Sequence, residues 1–338
     1  MNLSEADLSG LSARAFERHG MSAHNAAMVA AVVAAAERDG AASHGLLRMD
    51  GYIGTLRSGW VDGTAVPVVT RNAPAILAVD ARNGFAQVAM AAVRDTAMET
   101  ARQQGLAAVC ISDSHHFAAL WPDVEPFAER GFIALTVVNA RGRIVVWSGR
   151  RKVLGTNPMA FACPRSDGPP VVWDQASSQR AQGEVLKARM EGRQVPEGVG
   201  LDAAGEPTTD PAAILDGGAL LPFGGHKGAG IAFMVEVLAA AMTGGRFGFD
   251  DESPAFPGAQ TSRAGQFLLL VDPSRGPGGD VAGRITTLVA MLRDAGAQRL
   301  PGDERHHRRA RAAREGIDIP NEVHARLLAL AEANGAGP

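Results

Sequence analysis

The sequence predicts an α/β or α+β chain that does not use a Rossmann unit, and three observations carry that reading. Residues up to about Trp60, and again after Gly279, follow helical periodicity. Between them, short apolar runs of strand length alternate with helical stretches. No Gly-x-Gly-x-x-Gly joins a strand to a helix: the nearest candidate, Gly276-Pro277-Gly278-Gly279, lacks the final glycine and carries a proline that spoils the tight turn.

Ser4 with Asp7 reads as a capping box that opens a helix to about His19. Gly20 ends it and Ser22 caps the next, which carries Val29, Val32 and Val33 on an alanine-rich body and stops at Gly40. A third helix is expected from about Ser43 to Ser58, despite Gly51 and Gly54. Ala75 to Val79 reads as a strand, Ala86 to Gln104 as a helix and Leu106 to Ile111 as a buried strand. Short strands are expected near Phe132–Val138, Met159–Cys163 and Pro170–Trp173. Gln194 to Leu221, rich in Gly, Pro and Asp, reads mostly as loop. Ala229 to Met242 is a helix ended by Gly244-Gly245; Ala255 to Gly265 reads as a surface loop, Phe267 to Val271 as a strand and Pro273 to Gly279 as a turn. Two helices close the chain, near Val281–Ala295 and Asn321–Ala333, with the basic segment Arg305 to Arg314 between them.

A chain of 338 residues can bury a large core. Its 33 basic and 36 acidic residues nearly balance, which argues for neither nucleic acid nor a membrane surface as partner. The longest apolar stretch, Ala26 to Ala36, is too short to span a bilayer. The N-terminus lacks a basic region followed by an apolar run, so no signal peptide is expected. Cys110 and Cys163 have no metal-type spacing and read as buried thiols of a cytoplasmic protein. Lysine occurs only at 152, 187 and 227, which draws attention to Lys227 inside a glycine cluster.

Four segments and one isolated acid carry candidate chemistry. His44 and Arg48, four apart on the expected helix, would share a face. Arg grips a carboxylate bidentately, imidazole suits proton transfer near neutrality, and Ser43 can orient the ring. A surface His and Arg near a helix start would show the same spacing. His115-His116 follows a buried strand, where polar residues often line a site. No metal is expected there, because adjacent histidines on an extended chain point to opposite faces; His306-His307 read as part of a solvated basic face. Gly224-Gly225-His226-Lys227-Gly228 opens a helix, so its backbone N–H groups and Lys227 could cradle a phosphate; a flexible loop with a chance lysine fits equally. Gly155-Thr156-Asn157-Pro158 offers a hydroxyl and an amide, or simply an Asn-Pro turn. Glu184 by itself is a charged helix residue.

Taken in order, Ser43-His44-Gly45, Gly155-Thr156-Asn157-Pro158, Gly224 to Gly228 and Arg299-Leu300-Pro301-Gly302 resemble the malate/L-lactate dehydrogenase type 2 family of non-Rossmann nicotinamide oxidoreductases. The run from Ser114 to Phe127, with Leu120-Trp121-Pro122, and the approach Gly218 to Phe223 resemble its Δ1-piperideine-2-carboxylate/Δ1-pyrroline-2-carboxylate reductases. The resemblance implies a largely antiparallel central sheet in an NADPH-binding and catalytic region, 71–279, flanked by a helical domain of 1–70 plus 280–338. It implies a homodimer acting on a small cyclic imino acid, with no metal. His44 would be the proton donor, with Ser43 and an acid completing a relay; this chain has Glu184 where the reductases carry Asp. Arg48 and Thr156 would contact substrate. NADPH would be contacted by His116, Phe117, Ala118, Ala119, Leu120, Asp174, Gln175, Ala176, Gln182, Gly183, Gly225, His226, Lys227, Arg299, Pro301, Gly302, Glu304 and Arg305. Gln182-Gly183 replaces an expected His-Gly. NADPH rather than NADH is carried over from the imine reductases, since spacing does not separate the two. The same clamp and acid would serve an NAD(P)-dependent 2-hydroxy-acid dehydrogenase, and a non-catalytic nucleotide-binding scaffold is the more distant alternative.

Overall fold

The computed structural model describes residues 1–149 and 151–332. Its centre is a seven-stranded sheet of β1 (Val68–Ala73), β2 (Ile76–Phe85), β3 (Leu106–His116), β4 (Ile133–Val138), β5 (Met159–Cys163), β6 (Val171–Gln175) and β7 (Ser262–Val271), in the spatial order β1-β2-β3-β7-β4-β5-β6. Only β2 and β3 run parallel; every other neighbouring pair is antiparallel. The parallel pair needs a crossover, supplied by helix α4 (Ala86–Gln104 in a chain whose first helices are α1, Glu5–Arg18, α2, Ala23–Arg38, and α3, Met49–Arg57). Gly105, left-handed at φ 85°, stops α4 and lets the chain turn directly into β3. The sheet is thus the largely antiparallel one that the resemblance implies.

The apolar alternation explains the layers. Leu77, Val79, Val109 and Ile111 pack on one face against Met90 and Val93 of α4 and Val124 and Phe127 of α5 (Trp121–Ala128). Ala108, Cys110, Val137 and Phe267 pack on the other, against Val235 of α7 (His226–Glu236), which follows α6 (Gln182–Met190), and Ala239 of the turn that continues it. A second core joins Leu8, Phe16, Val33 and Tyr52 of the N-terminal helices to Leu327 and Leu330 of the last helix, α10 (Asn321–Glu332). The chain ends are also tied by a short antiparallel pair, Asn2–Leu3 with Ile317–Asp318. Ser4 caps α1 as expected, its Oγ accepting from the Asp7 N–H at 3.1 Å.

Several expectations are corrected. The helix expected from Ser43 is two single 3₁₀ turns, Ala42–His44 and Leu46–Arg48, with α3 starting only at Met49. Gly45, at φ −96° and ψ −131°, breaks the helix between His44 and Arg48. The helix expected from Ala229 begins at His226 and continues past Glu236 as a π-helical turn, Val237–Ala241. The basic segment between the two terminal helices, of which the first is α8 (Val281–Asp294), is itself a helix, α9 (Asp303–Glu315). Strand β7 starts at Ser262, inside the expected surface loop. The expected end of the last helix at Ala333 lies outside the described residues. No described helix is long and apolar enough to cross a membrane.

Candidate active site

Strand register brings the candidate residues to one end of the sheet. His116 pairs with Ser262, Gln266 with Val138, Val137 with Met159 and Met159 with Gln175. The C-terminal ends of β3, β4 and β6 therefore meet the beginnings of β5 and β7. From β3 to β6 is four strand spacings, roughly 19 Å, room for an extended ligand. A cleft of about 460 Å³ opens there, lined by His44, Arg48, residues 116–121, Arg141, Arg143, Thr156, residues 174–176, Gln182 to Glu184 and Arg305.

His44 and Arg48 converge on this cleft although no continuous helix carries them. The Arg48 Nε–H donates to the Ser43 carbonyl at 2.7 Å, and its guanidinium lies 4.4 Å from the centre of the Phe117 ring. Ser43 Oγ lies 3.2 Å from His44 Nδ1. The turn is pinned by Glu37 of α2, whose carboxylate accepts the Leu46 N–H at 2.9 Å. A side chain at Gly45 would displace that carboxylate and crowd the Glu37 backbone, 3.1 Å from its Cβ, so a larger residue here would loosen the turn. Burial pushes His44 down to about 4, with the charges of Arg48 and His116 adding to the effect, so the ligand-free imidazole is neutral at pH 7. Burial likewise lowers Arg48. Among the described residues Arg48 has no acid within ion-pair distance, and its terminal nitrogens remain free for a ligand.

A β-bulge gives the two adjacent histidines different jobs. The β3–β7 register shifts between Ala264 and Gln266, and Asp113, at φ 56°, absorbs the extra residue. Asp113 is held by Arg263. His115 then points into the protein, with Nδ1 at 2.8 Å from Thr261 Oγ1 and Nε2 at 2.9 Å from Asn83 Oδ1. Asn83 Oδ1 can only accept, so His115 is the neutral Nε2–H tautomer; burial pushes it down to about 3. His116 points into the cleft, with Nε2 3.3 Å from Asp123, which also accepts from Gln266 at 2.8 Å. The opposite-face expectation for this pair holds, and no cluster of metal-ligating side chains exists among the described residues.

The β6 end of the cleft fits a nucleotide. Asp174 accepts the N–H groups of Leu120 (2.7 Å) and Trp121 (3.2 Å) through one oxygen, which leaves the other available. Burial raises Asp174, and those two bonds with Arg305 and His116 work against it. Arg305 donates to the Val172 carbonyl at 2.6 Å and lies 5.0 Å from the Trp121 ring centre. Its Nε is buried without a partner. A carboxylate oxygen and an orphaned guanidinium N–H suit the hydroxyls and phosphates of a dinucleotide.

Other expected residues sit elsewhere. Thr156 lines the cleft, but Asn157 is structural: its amide donates to the Ala232 carbonyl at 2.8 Å and to Glu236 at 3.1 Å, and its oxygen accepts the Ala140 N–H at 3.0 Å. Glu184 lies at the mouth, its side chain 56% exposed and 3.6 Å from Arg180, with no hydrogen bond to Ser43 or His44 among the described residues. Gly183 packs against them instead: a Cβ there would lie 3.3 Å from Arg48 and 3.5 Å from Ser43. Gly225 and His226 line a different cavity, together with Trp147 and Lys152. The N–H groups of Lys227, Gly228 and Ala229 already bond Gly224, Phe223 and Gly225 carbonyls. Arg299, Pro301, Gly302 and Glu304 are not among the residues lining the His44 cleft; Gly302 packs beside Val172, and Glu304 pairs with Arg308 at 2.9 Å. His306, expected on a solvated face, is half-buried, 3.2 Å from the Pro170 carbonyl. Sequence reasoning missed Glu37, Arg141 and Arg143; only their polarity marked them.

Residues 3–328 match the malate/L-lactate dehydrogenase family. The chain belongs to that family. It is therefore an NAD(P)-dependent dehydrogenase in the broad sense, and an oxidoreductase. It is 51% identical over 318 residues, 94% of this chain and 93% of the other, to a Delta(1)-pyrroline-2-carboxylate/Delta(1)-piperideine-2-carboxylate reductase of Pseudomonas syringae pv. tomato. The reductase of the same name from Pseudomonas putida is 48% identical over 316 residues, with 94% and 93% covered. The crystal structure of delta1-piperideine-2-carboxylate reductase from Pseudomonas syringae pvar. tomato superposes with a TM-score of 0.96 at 49% identity, covering 98% of this chain and 99% of that one.

Proposed function

We propose that this member of the malate/L-lactate dehydrogenase family reduces cyclic 2-imino acids, taking Δ1-piperideine-2-carboxylate to L-pipecolate and Δ1-pyrroline-2-carboxylate to L-proline. The observation that carries the reading is the convergence of His44, Arg48, His116 and Thr156 on one cleft, with Ser43 beside the His44 ring, in a chain half identical to reductases named for these two substrates. When bound, the cofactor, NADPH in this reading and NADH as the alternative, supplies the hydride that C2 receives.

The rest is done by the chain. Arg48 offers its free terminal nitrogens to the carboxylate beside C2, at roughly 1.5–3 kcal/mol for a charge-assisted contact. Thr156, which lines the same cleft, offers a hydroxyl. His44 gives or maintains the proton on the ring nitrogen. It starts neutral, because burial and the Arg48 charge disfavour the imidazolium. A carboxylate seated on Arg48 cancels part of that repulsion, so substrate binding itself promotes protonation of His44. Ser43 holds the ring through Nδ1, and Glu184 acts from the mouth as the acidic end of the relay. His116 to Leu120, Asp174 to Ala176, Gln182, Gly183 and Arg305 hold the nucleotide, and the turn Arg299 to Gly302 with Glu304 supports that end.

Gly225, His226 and Lys227 enter this reading through a homodimer. Gly225 and His226 share a cavity with Trp147, which meets Phe233 at 6.1 Å; elsewhere Phe247 stacks on Phe249 at 5.1 Å. Phe233, Phe249 and Trp147 are each more than half exposed. A surface of that kind is suited to burial against a second copy. In the same reading the protein works in the cytoplasm, with Cys110 and Cys163 as buried thiols. The test is NADPH oxidation with each cyclic imine beside pyruvate and oxaloacetate alone. Rapid oxidation with the imines and little with the oxo acids is expected; the reverse would make the chain a 2-hydroxy-acid dehydrogenase.

A further inference from the structure

Besides Arg305, and Arg180 which pairs with Glu184 at the mouth, three arginines line the cleft. Arg48 is the carboxylate clamp already described; Arg141 and Arg143 follow β4. Neither position is accidental surface. The Arg141 N–H donates to Ser262 Oγ at 3.2 Å, and the Arg143 backbone is fixed on both sides, its N–H to the Leu154 carbonyl at 2.8 Å and its carbonyl to the Leu220 N–H at 2.9 Å. Gly142 between them has no room for a side chain, since a Cβ would lie 2.9 Å from the Lys152 carbonyl. Both guanidiniums are thus presented from rigid backbone, as a binding site requires.

The local charges do not balance. Arg141 lies 3.6 Å from Asp251 and donates to the Gln260 carbonyl at 3.1 Å. Arg143 has no hydrogen bond or ion pair from its side chain among the described residues, and Asp251 is the acid it must share. Burial, with the charges of Arg141 and Arg48, lowers Arg143 to about 10 against the pull of Asp251. With the Arg180–Glu184 pair already matched, Arg48, Arg141 and Arg143 face Asp251 and one substrate carboxylate. Arg305 and Asp174 mark the β6 end of the cleft, whereas Arg141 is anchored next to β7, three strand positions away.

Resting on the cyclic-imine reading above, we propose that Arg143, with Arg141, forms a second anion subsite, and that the preferred substrate is a cyclic 2-imino acid bearing a second acid group remote from C2. The chemistry is unchanged and balanced. The C2=N bond gains hydride at carbon and a proton at nitrogen, the nicotinamide is oxidised, and the second acid group is held without reacting. Arg48 takes the carboxylate on C2, and Arg143 selects the other.

The experiment compares kcat/KM for Δ1-piperideine-2,6-dicarboxylate and Δ1-piperideine-2-carboxylate, with NADPH, in the unmodified protein and in Arg143→Gln and Arg143→Lys. The diacid is expected to be favoured by about tenfold or more, the scale of a charge-assisted contact. Arg143→Gln should collapse that ratio, and Arg143→Lys should restore part of it. A parallel titration of pyridine-2,6-dicarboxylate and pyridine-2-carboxylate into the NADP⁺-saturated protein should show the same ratio without turnover. Equal handling of monoacid and diacid would overturn the subsite while leaving imine reduction standing. A uniform loss with both substrates in Arg143→Gln would also overturn it, by making Arg143 structural. A rise in the KM for NADPH alone would assign the arginines to a cofactor phosphate instead. Absence of turnover with both imines would sink the imine reading itself.

Discussion

The charge cluster that joins the helices and the one that lines the cleft are built on opposite rules. In the first, Arg309 of α9 bridges the fully buried Asp39 at 2.7 Å and Glu125 of α5 at 2.8 Å, while Arg38 holds Asp39 at 2.7 Å and Glu5 at 2.7 Å. Every charge has an opposite, and the acids and bases join α1, α2, α5 and α9. Burial alone would raise Asp39, but hydrogen bonds from Arg38 and Arg309 outweigh it and hold the carboxyl below its usual range. In the second cluster, around His44, Arg48 and Arg143, cations outnumber acids, and burial lowers all three. A charge cluster that only stabilises closes on itself; one that binds anions keeps an excess for the ligand to neutralise.

The sharpest way to break this contrast is His44→Ala. A positioned general acid contributes about 10²–10⁴-fold, so kcat should fall by that order while thermal stability is unchanged; near-normal turnover would remove His44 from the proton transfer. Asp39→Ala should do the converse. Leaving Arg38 and Arg309 unmatched in a buried site should destabilise by about 3–5 kcal/mol, read as a lower denaturant midpoint, with kcat per folded molecule preserved. A silent Asp39→Ala would mean that the closed cluster holds nothing together.

Arg48→Ala should raise KM for the imino acid and lower kcat/KM by about 10–100-fold, the range of a charge-assisted contact. An unaltered KM would show that another group carries the carboxylate. His115 gives a smaller, pH-dependent effect. Its folded pKa, about 3, lies below the unfolded value near 6.5, so the unfolded chain takes up a proton that the folded one refuses. Stability is full above the unfolded value and drains as pH falls through the window from about 6.5 to 3, by about 1.4 kcal/mol per pH unit. His115→Asn should flatten the slope of stability against pH in that window by this amount; an identical slope would contradict the buried neutral imidazole. Glu184→Gln should be the mildest change. An exposed charge is worth about 0.2–1 kcal/mol, so kcat should fall by less than about fivefold, and a larger loss would show that the carboxylate moves onto Ser43 during turnover.

What the sequence made legible follows the same division. The strands and α4 were readable because their apolar residues alternate or repeat against a core. Helix α9 was not, because it buries none of its residues and shows only charge; its Glu304–Arg308 pair was the available hint. His44 and Arg48 were readable as types, but their assumed helical face was wrong. They converge because Glu37 and Gly45 fold the segment into two turns, a tertiary effect that spacing does not carry. The length of β3 was hidden by Ser112-Asp113-Ser114, whose polarity ends the apolar run although the bulge continues the strand to His116. Arg141 and Arg143 were invisible, since only the fold shows that their acids are too few.

The most direct test offers NADPH deuterated at the reactive face of nicotinamide C4 to the protein in an equal mixture of Δ1-piperideine-2-carboxylate and oxaloacetate, and reads the products by mass. The account predicts pipecolate carrying the deuterium at C2 and essentially no labelled malate. Deuterated malate without labelled pipecolate would contradict it.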